Sequence, residues 1–301
     1  MVDRVFPIAV PKMYFALEIA VMIKKWIVSI SICLALVWLI NSFVLSVFVV
    51  HGSSMEPLLY QGDLIVVKPI INASKFEPVK NDVVVIKEKQ ATPSIKRIVG
   101  LPGDTLVVSN FELVGNNLRE VKKPRWVKTT KKEFDWLKNG VLTAVPISTV
   151  NDWLVGLTEQ EKANLLLRKG VKWVTTPPSF ALEKADFVNQ INGWSVKDFG
   201  PLVVPTTKTK LKLKPNNITI YSKLISEESN LLDSIVDVVS SNGYCFYRPK
   251  QDYVFVMGDN RGVSVDSRYF GFLPKAVITG VFVRSIFEPN TVKIANPVSE
   301  K

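Results

Sequence analysis

Between Trp26 and Val50 the chain carries no formally charged side chain and is dense in Ile, Leu, Val, Phe and Trp. About 20 apolar residues cross the hydrocarbon core of a bilayer, so the run predicts a transmembrane helix with a few residues to spare. Lys24 and Lys25 abut its start. By the positive-inside rule that end faces the cytoplasm, and everything from about Gly52 onward lies outside. A cleaved secretory signal also begins with positive charge, but its apolar region is shorter and ends at small residues. This run ends in Val47-Phe48-Val49-Val50-His51, so it reads as an anchor that stays. Residues Val5 to Ile23 are also apolar, but Pro7, Pro11, Lys12 and Glu18 interrupt them, which predicts an interfacial segment instead of a second span.

Composition narrows the chemistry. A chain of 301 residues has room for one large or two modest domains. Its net charge of +11 favours an anionic partner, either a lipid leaflet or nucleic acid. No recognition helix, zinc spacing or aromatic RNA motif accompanies the charge, so the bilayer is expected and nucleic acid is not. Cys33 lies in the apolar run and Cys245 far downstream, which supports neither a disulfide nor a thiolate metal site. His51 is the sole histidine, so a histidine-built zinc site is excluded, and no metal or cofactor is expected.

After the anchor the pattern turns strand-like. Leu64 to Val67, Val83 to Ile86, Thr105 to Val108, Tyr253 to Met257 and Val277 to Phe287 are short β-branched and aromatic runs bounded by turn signals such as Gln61-Gly62-Asp63 and Pro102-Gly103-Asp104. Such spacing predicts a mostly β protein: an antiparallel β domain behind an N-terminal transmembrane helix. From about Leu106 to Lys250 the composition shifts to Lys, Trp and Pro, with helical patches. One starts at the capping-box spacing Thr158-Glu159-Gln160-Glu161, and a second is expected over Ser226 to Val238. The expected division is an N-terminal segment at 1–25, the span at 26–50, a β-rich core at 51–106 and 251–290, an inserted α+β cap at 107–250, and a tail at 291–301.

Three motifs carry the chemistry. Gly52-Ser53-Ser54-Met55-Glu56-Pro57 offers a serine just past the anchor. A serine hydroxyl attacks a carbonyl only when a base removes its proton, and alone Ser54 reads as an ordinary turn residue. His51 is too close in sequence to be assumed that base. Lys96-Arg97-Ile98-Val99-Gly100-Leu101-Pro102-Gly103-Asp104 offers a lysine in a strand-like approach to a turn. A lysine of pKa about 10.4 is a poor base at neutral pH, but burial, with Arg97 nearby, would lower it. Alone, Lys96 reads as a solvated strand lysine. Gly258-Asp259-Asn260-Arg261, followed by Ser264, Asp266 and Arg268, offers a polar scaffold in which Ser264 bonds the lysine amine while Asp266 and Arg268 pair.

The order of anchor, Ser-Met-x-Pro, Lys-Arg-x-x-Gly-x-Pro-Gly-Asp and Gly-Asp-Asn-Arg-x-x-Ser-x-Asp-Ser-Arg resembles the type I signal peptidases, membrane-bound serine/lysine endopeptidases of bacteria. The resemblance implies that Ser54 is the nucleophile and Lys96 the general base, that Ser264 orients the lysine, and that Asp266 and Arg268 support the site. Gly52, Arg97 and Asp259 join the supporting set, and Met55, Leu59 and Ile95 are candidates to line the substrate pocket. It also implies an inner-membrane location, preprotein signal peptides as substrates, small residues before the cut, and the secretion translocon as a possible partner. Two positions depart from the family. Gly52 stands where some members carry an oxyanion-holding serine, which shifts that task to backbone N–H groups such as that of Ser54, and Gly262-Val263 stand where many have Asp-Asn. The middle region, including Trp194 to Leu202, resembles the enlarged cap of signal peptidases from the Bacteroidetes lineage. Two other readings remain: a narrow-target processing protease of the same fold, and a catalytically silent anchored binding module.

Overall fold

The computed structural model describes residues 12–43, 45–87, 92–115, 122–129, 144–146, 152–167, 170–175, 187–229 and 231–287. The expected tail at 291–301 lies outside them. The chain divides into two compact units, Met1–Ser46 and Val47–Lys301.

The first unit is built on α1 (Lys12–Phe43), a helix of 32 residues. Lys12 and Glu18 do not break it, so the segment expected to be separately interfacial continues, from Lys12 on, into the helix of the apolar run. Its described apolar side chains, Trp26, Leu34 and Trp38 among them, are exposed. Among the described residues no helix is long and apolar enough to cross a membrane; side chains along α1 are described without a break only over positions 21–36. The uncharged run is also divided. α1 stops at Phe43, and β1 (Ser46–Val49) belongs to a sheet. Valine and phenylalanine serve a strand as readily as a lipid-facing helix, which hydropathy alone does not distinguish.

The second unit is dominated by a seven-stranded sheet of β1, β2 (Leu64–Pro69), β3 (Val83–Ile86), β4 (Ser94–Gly100), β14 (Tyr253–Met257), β15 (Leu273–Pro274) and β16 (Ile278–Phe287), in the spatial order β1-β2-β16-β3-β4-β14-β15. The registered pairs from β2 to β15 are antiparallel, as expected. Every residue of β3 and β14 is buried, because both faces of the sheet are covered here. Val254 and Val256 join one apolar cluster with Val84, Ile86 and Ile98, while Tyr253, Phe255 and Met257 join another with Val99 and Leu106. A strand buried on both faces reads as a continuous apolar run, which is why Tyr253 to Met257 stands out in the sequence.

Further strands surround this sheet. β5 (Thr105–Ser109), β6 (Glu112–Leu113) and β11 (Phe199–Val203) form a three-stranded sheet, and β12 (Leu211–Leu213) pairs with β13 (Cys245–Tyr247). β7 (Lys123–Thr129), β8 (Ala144–Pro146), β9 (Asp152–Leu157) and β10 (Val171–Thr175) make a four-stranded sheet with its own core around Val127, Val155 and Leu157. α2 (Glu159–Leu166) follows β9 and starts with the capping box seen in the sequence: Glu161 N donates to Thr158 Oγ1 at 3.1 Å and Thr158 N to Glu161 Oε2 at 2.8 Å. The helix expected over Ser226 to Val238 is instead the junction of two, α3 (Ile218–Glu228) and α4 (Leu232–Asn242). α3 ends at Glu228, whose carboxylate accepts bonds from the Tyr247 and Tyr253 hydroxyls, at 2.7 and 2.9 Å. The break lets Ile220, Leu224 and Ile225 of α3 and Ile235 and Val239 of α4 reach the same core as Phe255. α5 (Ser267–Phe270) is a single turn capped by Asp266.

Candidate active site

Ser54 lies on a loop closed at its neck by the strand that precedes it. Val50 N donates to the Asp63 carbonyl and Gly62 N to the Val50 carbonyl, both at 2.9 Å. Inside the loop Met55 and Leu59 are buried with Ile65, Val67, Val83 and Val85. These apolar anchors leave Ser54 half-buried at the edge of a cleft of about 680 Å³. One wall is Val47 to His51 and the other Thr92 to Lys96. On that second wall β14 registers with β4 only from Arg97 to Gly100. The outer backbone edge at 94–96 therefore has no strand beside it among the described residues, while β3 occupies the other edge.

Lys96 reaches into this cleft. Its Nζ donates to Ser54 Oγ at 3.1 Å and to the Ile95 carbonyl at 3.1 Å. The residue is 6% exposed. Burial lowers its pKa from the ordinary lysine value; the Asp266 carboxylate opposes that shift and the Arg268 guanidinium adds to it. Arg97, expected to help, points elsewhere, since successive strand side chains leave opposite faces. Its Nε donates to Asp259 Oδ1 at 2.7 Å and its Nη1 to the Asn81 carbonyl at 2.7 Å, so it fastens the 258–261 turn to the sheet.

The expected pair Asp266–Arg268 is present and fully buried. Arg268 Nε and Nη2 each donate to the Asp266 carboxylate at 2.8 Å, and Gly258 N donates to it at 3.0 Å. Burial alone would raise the Asp266 pKa, but the guanidinium and these hydrogen bonds hold it below the usual carboxylate value. Ser264 is buried close enough to help lower Asp266, yet its Oγ makes no well-formed hydrogen bond among the described residues, and Lys96 donates to Ser54 and Ile95 instead. Gly258 explains the crowding. A Cβ there would collide with Ser264 Oγ and the Ser54 carbonyl, so only glycine lets the turn approach the serine loop. Gly52 has φ 80°, a conformation that side-chain-bearing residues rarely adopt, which fits glycine at this position. Of the pocket candidates, Met55 and Ile95 line the cleft. Leu59 does not; at 0% exposed it belongs to the core beneath the loop. His51 is an exposed lining residue.

Five residues of this region had no individual role in the sequence reading. Asn260 donates from its backbone N to the Ser54 carbonyl at 3.0 Å and from Nδ2 to the Ser53 carbonyl at 3.2 Å. Its place in the Gly-Asp-Asn turn was the available signal. Glu56, Lys122 and Glu161 form a buried cluster in which Lys122 Nζ lies 2.8 Å from Glu56 Oε2 and 3.2 Å from Glu161 Oε1. Lys122 falls in the expected cap at 107–250, outside the three motifs, and no local pattern marks it. Arg261 is also buried, which pulls its pKa down to about 10, and its Nη1 donates to the Phe111 carbonyl at 3.3 Å.

The arrangement can polarise a serine hydroxyl with a lysine held short of water, beside a backbone edge open to an extended chain. Known proteins point the same way. The family model described as signal peptidase, peptidase S26, matches residues 23–173 and 199–287. Signal peptidase I of Buchnera aphidicola subsp. Baizongia pistaciae (strain Bp) is 26% identical over 267 residues, which cover 83% of this chain and 72% of that protein. Signal peptidase I P of Bacillus subtilis subsp. natto is 34% identical over 113 residues, 37% of this chain and 59% of that protein. Signal peptidase IB of Staphylococcus aureus (strain COL) is 28% identical over 98 residues, 33% of this chain and 51% of that protein. The family match runs through the Ser54 loop, through Lys96 and, after a gap, through the turn that carries Ser264 and Asp266, and on that breadth the chain belongs to the signal peptidase family, peptidase S26.

Proposed function

We propose that this serine endopeptidase of the signal peptidase I type removes signal peptides from secreted preproteins, with Ser54 as nucleophile and Lys96 as general base. The observation that carries the reading is the 3.1 Å approach of Lys96 Nζ to Ser54 Oγ. A neutral amine at that distance accepts the hydroxyl proton as Oγ attacks the scissile carbonyl, then gives it to the departing amine as the C–N bond breaks; the neutral lysine next takes a proton from a water that attacks the acyl-enzyme, and returns it to Oγ as the ester bond breaks. Burial moves the lysine toward the neutral amine, because desolvation disfavours the ammonium. Backbone N–H groups near Ser54 receive the developing oxyanion. The precursor lies extended in the cleft along the free edge at 94–96, the mode in which an added strand gains main-chain hydrogen bonds and places alternate side chains in pockets. Met55 and Ile95 floor those pockets and favour small residues before the cut.

The reading extends to location. α1 holds positions 26–43 of the uncharged run behind Lys24 and Lys25, and it serves as a single bacterial inner-membrane anchor with the catalytic unit on the outer side. Tethering replaces a three-dimensional search with a local one, because the signal peptide's apolar segment lies in the same bilayer, near the translocon. Residues 107–250 act as an enlarged cap of the Bacteroidetes kind over the core at 51–106 and 251–290. The test is cleavage of a purified preprotein in detergent by the wild type, Ser54→Ala and Lys96→Ala, with the new N-terminus sequenced. A cut after a small residue that both substitutions abolish is expected; cleavage surviving in either one refutes the assignment.

A further inference from the structure

The strongest unused feature is the buried lysine of the intervening region. Lys122 is 0% exposed, and Glu56, two residues after Ser54, is 3% exposed. A lysine so completely buried is rare and is retained only with compensating charge, which Glu56 and Glu161 supply. Its backbone is committed as well. Lys122 N donates to the Asp259 carbonyl at 3.0 Å, and Arg261 N donates to the Lys122 carbonyl at 2.8 Å, in a parallel bridge alongside Asn260. Asn260 holds the Ser53 and Ser54 carbonyls. One residue therefore grips the serine loop twice: through its side chain at Glu56, and through its main chain by way of the 259–261 turn. Glu161 brings in a third body, because its other carboxylate oxygen caps α2 at Thr158 N.

We propose that Lys122 is a positioning residue for Ser54, tying the α2 end of the four-stranded lobe to the nucleophile loop through Glu56, so that this lobe sets the serine's place opposite Lys96. The inference rests on the reading of Ser54 as the nucleophile. Hydrogen bonds and ion pairs from both sides fix the loop where apolar packing by Met55 and Leu59 alone would leave it free to slide, and a displacement of about 1 Å at a reacting group costs on the order of 100-fold in rate.

The test uses the full chain in detergent and steady-state cleavage of a preprotein by Glu56→Met, Lys122→Met and the double variant, each with a melting curve. Glu56→Met cuts the tie on the loop side yet leaves a balanced Lys122–Glu161 pair, so it keeps the fold. The expected result is a loss in kcat of about 100-fold with KM within about threefold, and a double variant no worse than Glu56→Met, since either change severs the same tie. A cooperatively melting Glu56→Met with kcat within threefold of wild type overturns the proposal, because a merely structural pair moves the melting temperature and not the turnover of folded molecules. So does a folded Lys122→Met with wild-type kcat; should that variant fail to fold, a folded double variant whose kcat lies more than threefold below that of Glu56→Met has the same meaning. Ser54→Ala in the same assay separates the two ideas: if it still cleaves, the nucleophile assignment falls, whereas an inactive Ser54→Ala beside an active Glu56→Met sinks the positioning role alone.

Discussion

Asp266→Asn tests the electrostatics of the site most directly. In the wild type the carboxylate accepts Arg268 Nε and Nη2 at 2.8 Å, Gly258 N at 3.0 Å and Arg268 N at 3.2 Å, with both side chains 0% exposed. The substitution keeps the shape but leaves the guanidinium buried without a counter-charge. Removing one partner of a buried pair costs about 3–5 kcal/mol. At about 2–4 °C per kcal/mol for a domain of this size, the melting temperature falls by roughly 6–20 °C. The carboxylate also works against the lowering of the Lys96 pKa, so removing its charge lowers that pKa further. Folded Asp266→Asn therefore keeps its base neutral to lower pH, and the acid limb of kcat/KM moves to lower pH than in the wild type. Stability has its own signature. The Asp266 pKa is depressed in the fold, so its contribution is present above the unfolded value near about 3.9 and is lost as pH falls through the folded value. The stability gap between wild type and Asp266→Asn narrows on acidification below about pH 4. Urea unfolding and pH–rate profiles on the same samples supply both readings. An acid limb that stays put or moves upward, in a variant destabilised as expected, would refute the reasoning that Asp266 acts on Lys96 through charge.

Other substitutions probe separate links. Lys96→Met abolishes cleavage yet raises thermal stability, because the folded-state pKa of Lys96 is lowered; wild-type stability climbs as pH rises from the folded to the unfolded value, and the variant lacks that slope, so its advantage is greatest at acid pH. Gly258→Ala forces a Cβ against Ser264 Oγ and the Ser54 carbonyl; it costs about 1–3 kcal/mol by melting and lowers kcat by shifting the serine loop. Leu59→Ala costs about 2–5 kcal/mol without changing the cleavage site. Met55→Ala alters KM and the choice of residue before the cut, read by sequencing the product, because Met55 is among the residues that line the cleft.

The strands were legible because their runs are short, β-branched and bounded by turns. Val83 to Ile86 and Tyr253 to Met257 are strands at the expected bounds. The capping box at Thr158 was legible because its partners lie three residues apart. Long-range choices were not. Whether Val47 to Val49 continue a helix or join a sheet depends on β2 being there to pair with, and the Glu228 carboxylate at the end of α3 meets the hydroxyls of Tyr247 and Tyr253, which lie 19 and 25 residues further on.

The site divides along the same line. Sequence alone determined which residue types stand where: a serine beyond an uncharged run, a lysine on a strand, and an aspartate and arginine two positions apart, close enough to pair locally. Only the tertiary structure decided which of them meet. Ser54 and Lys96 touch because a loop from one edge of the sheet and a strand nearer its middle share one cleft. Arg97 turns from the lysine to Asp259 because neighbouring strand residues face opposite ways. Lys122 becomes part of the site because its charge, once buried, must find carboxylates, and Glu56 and Glu161 are brought to it from positions that no sequence window spans.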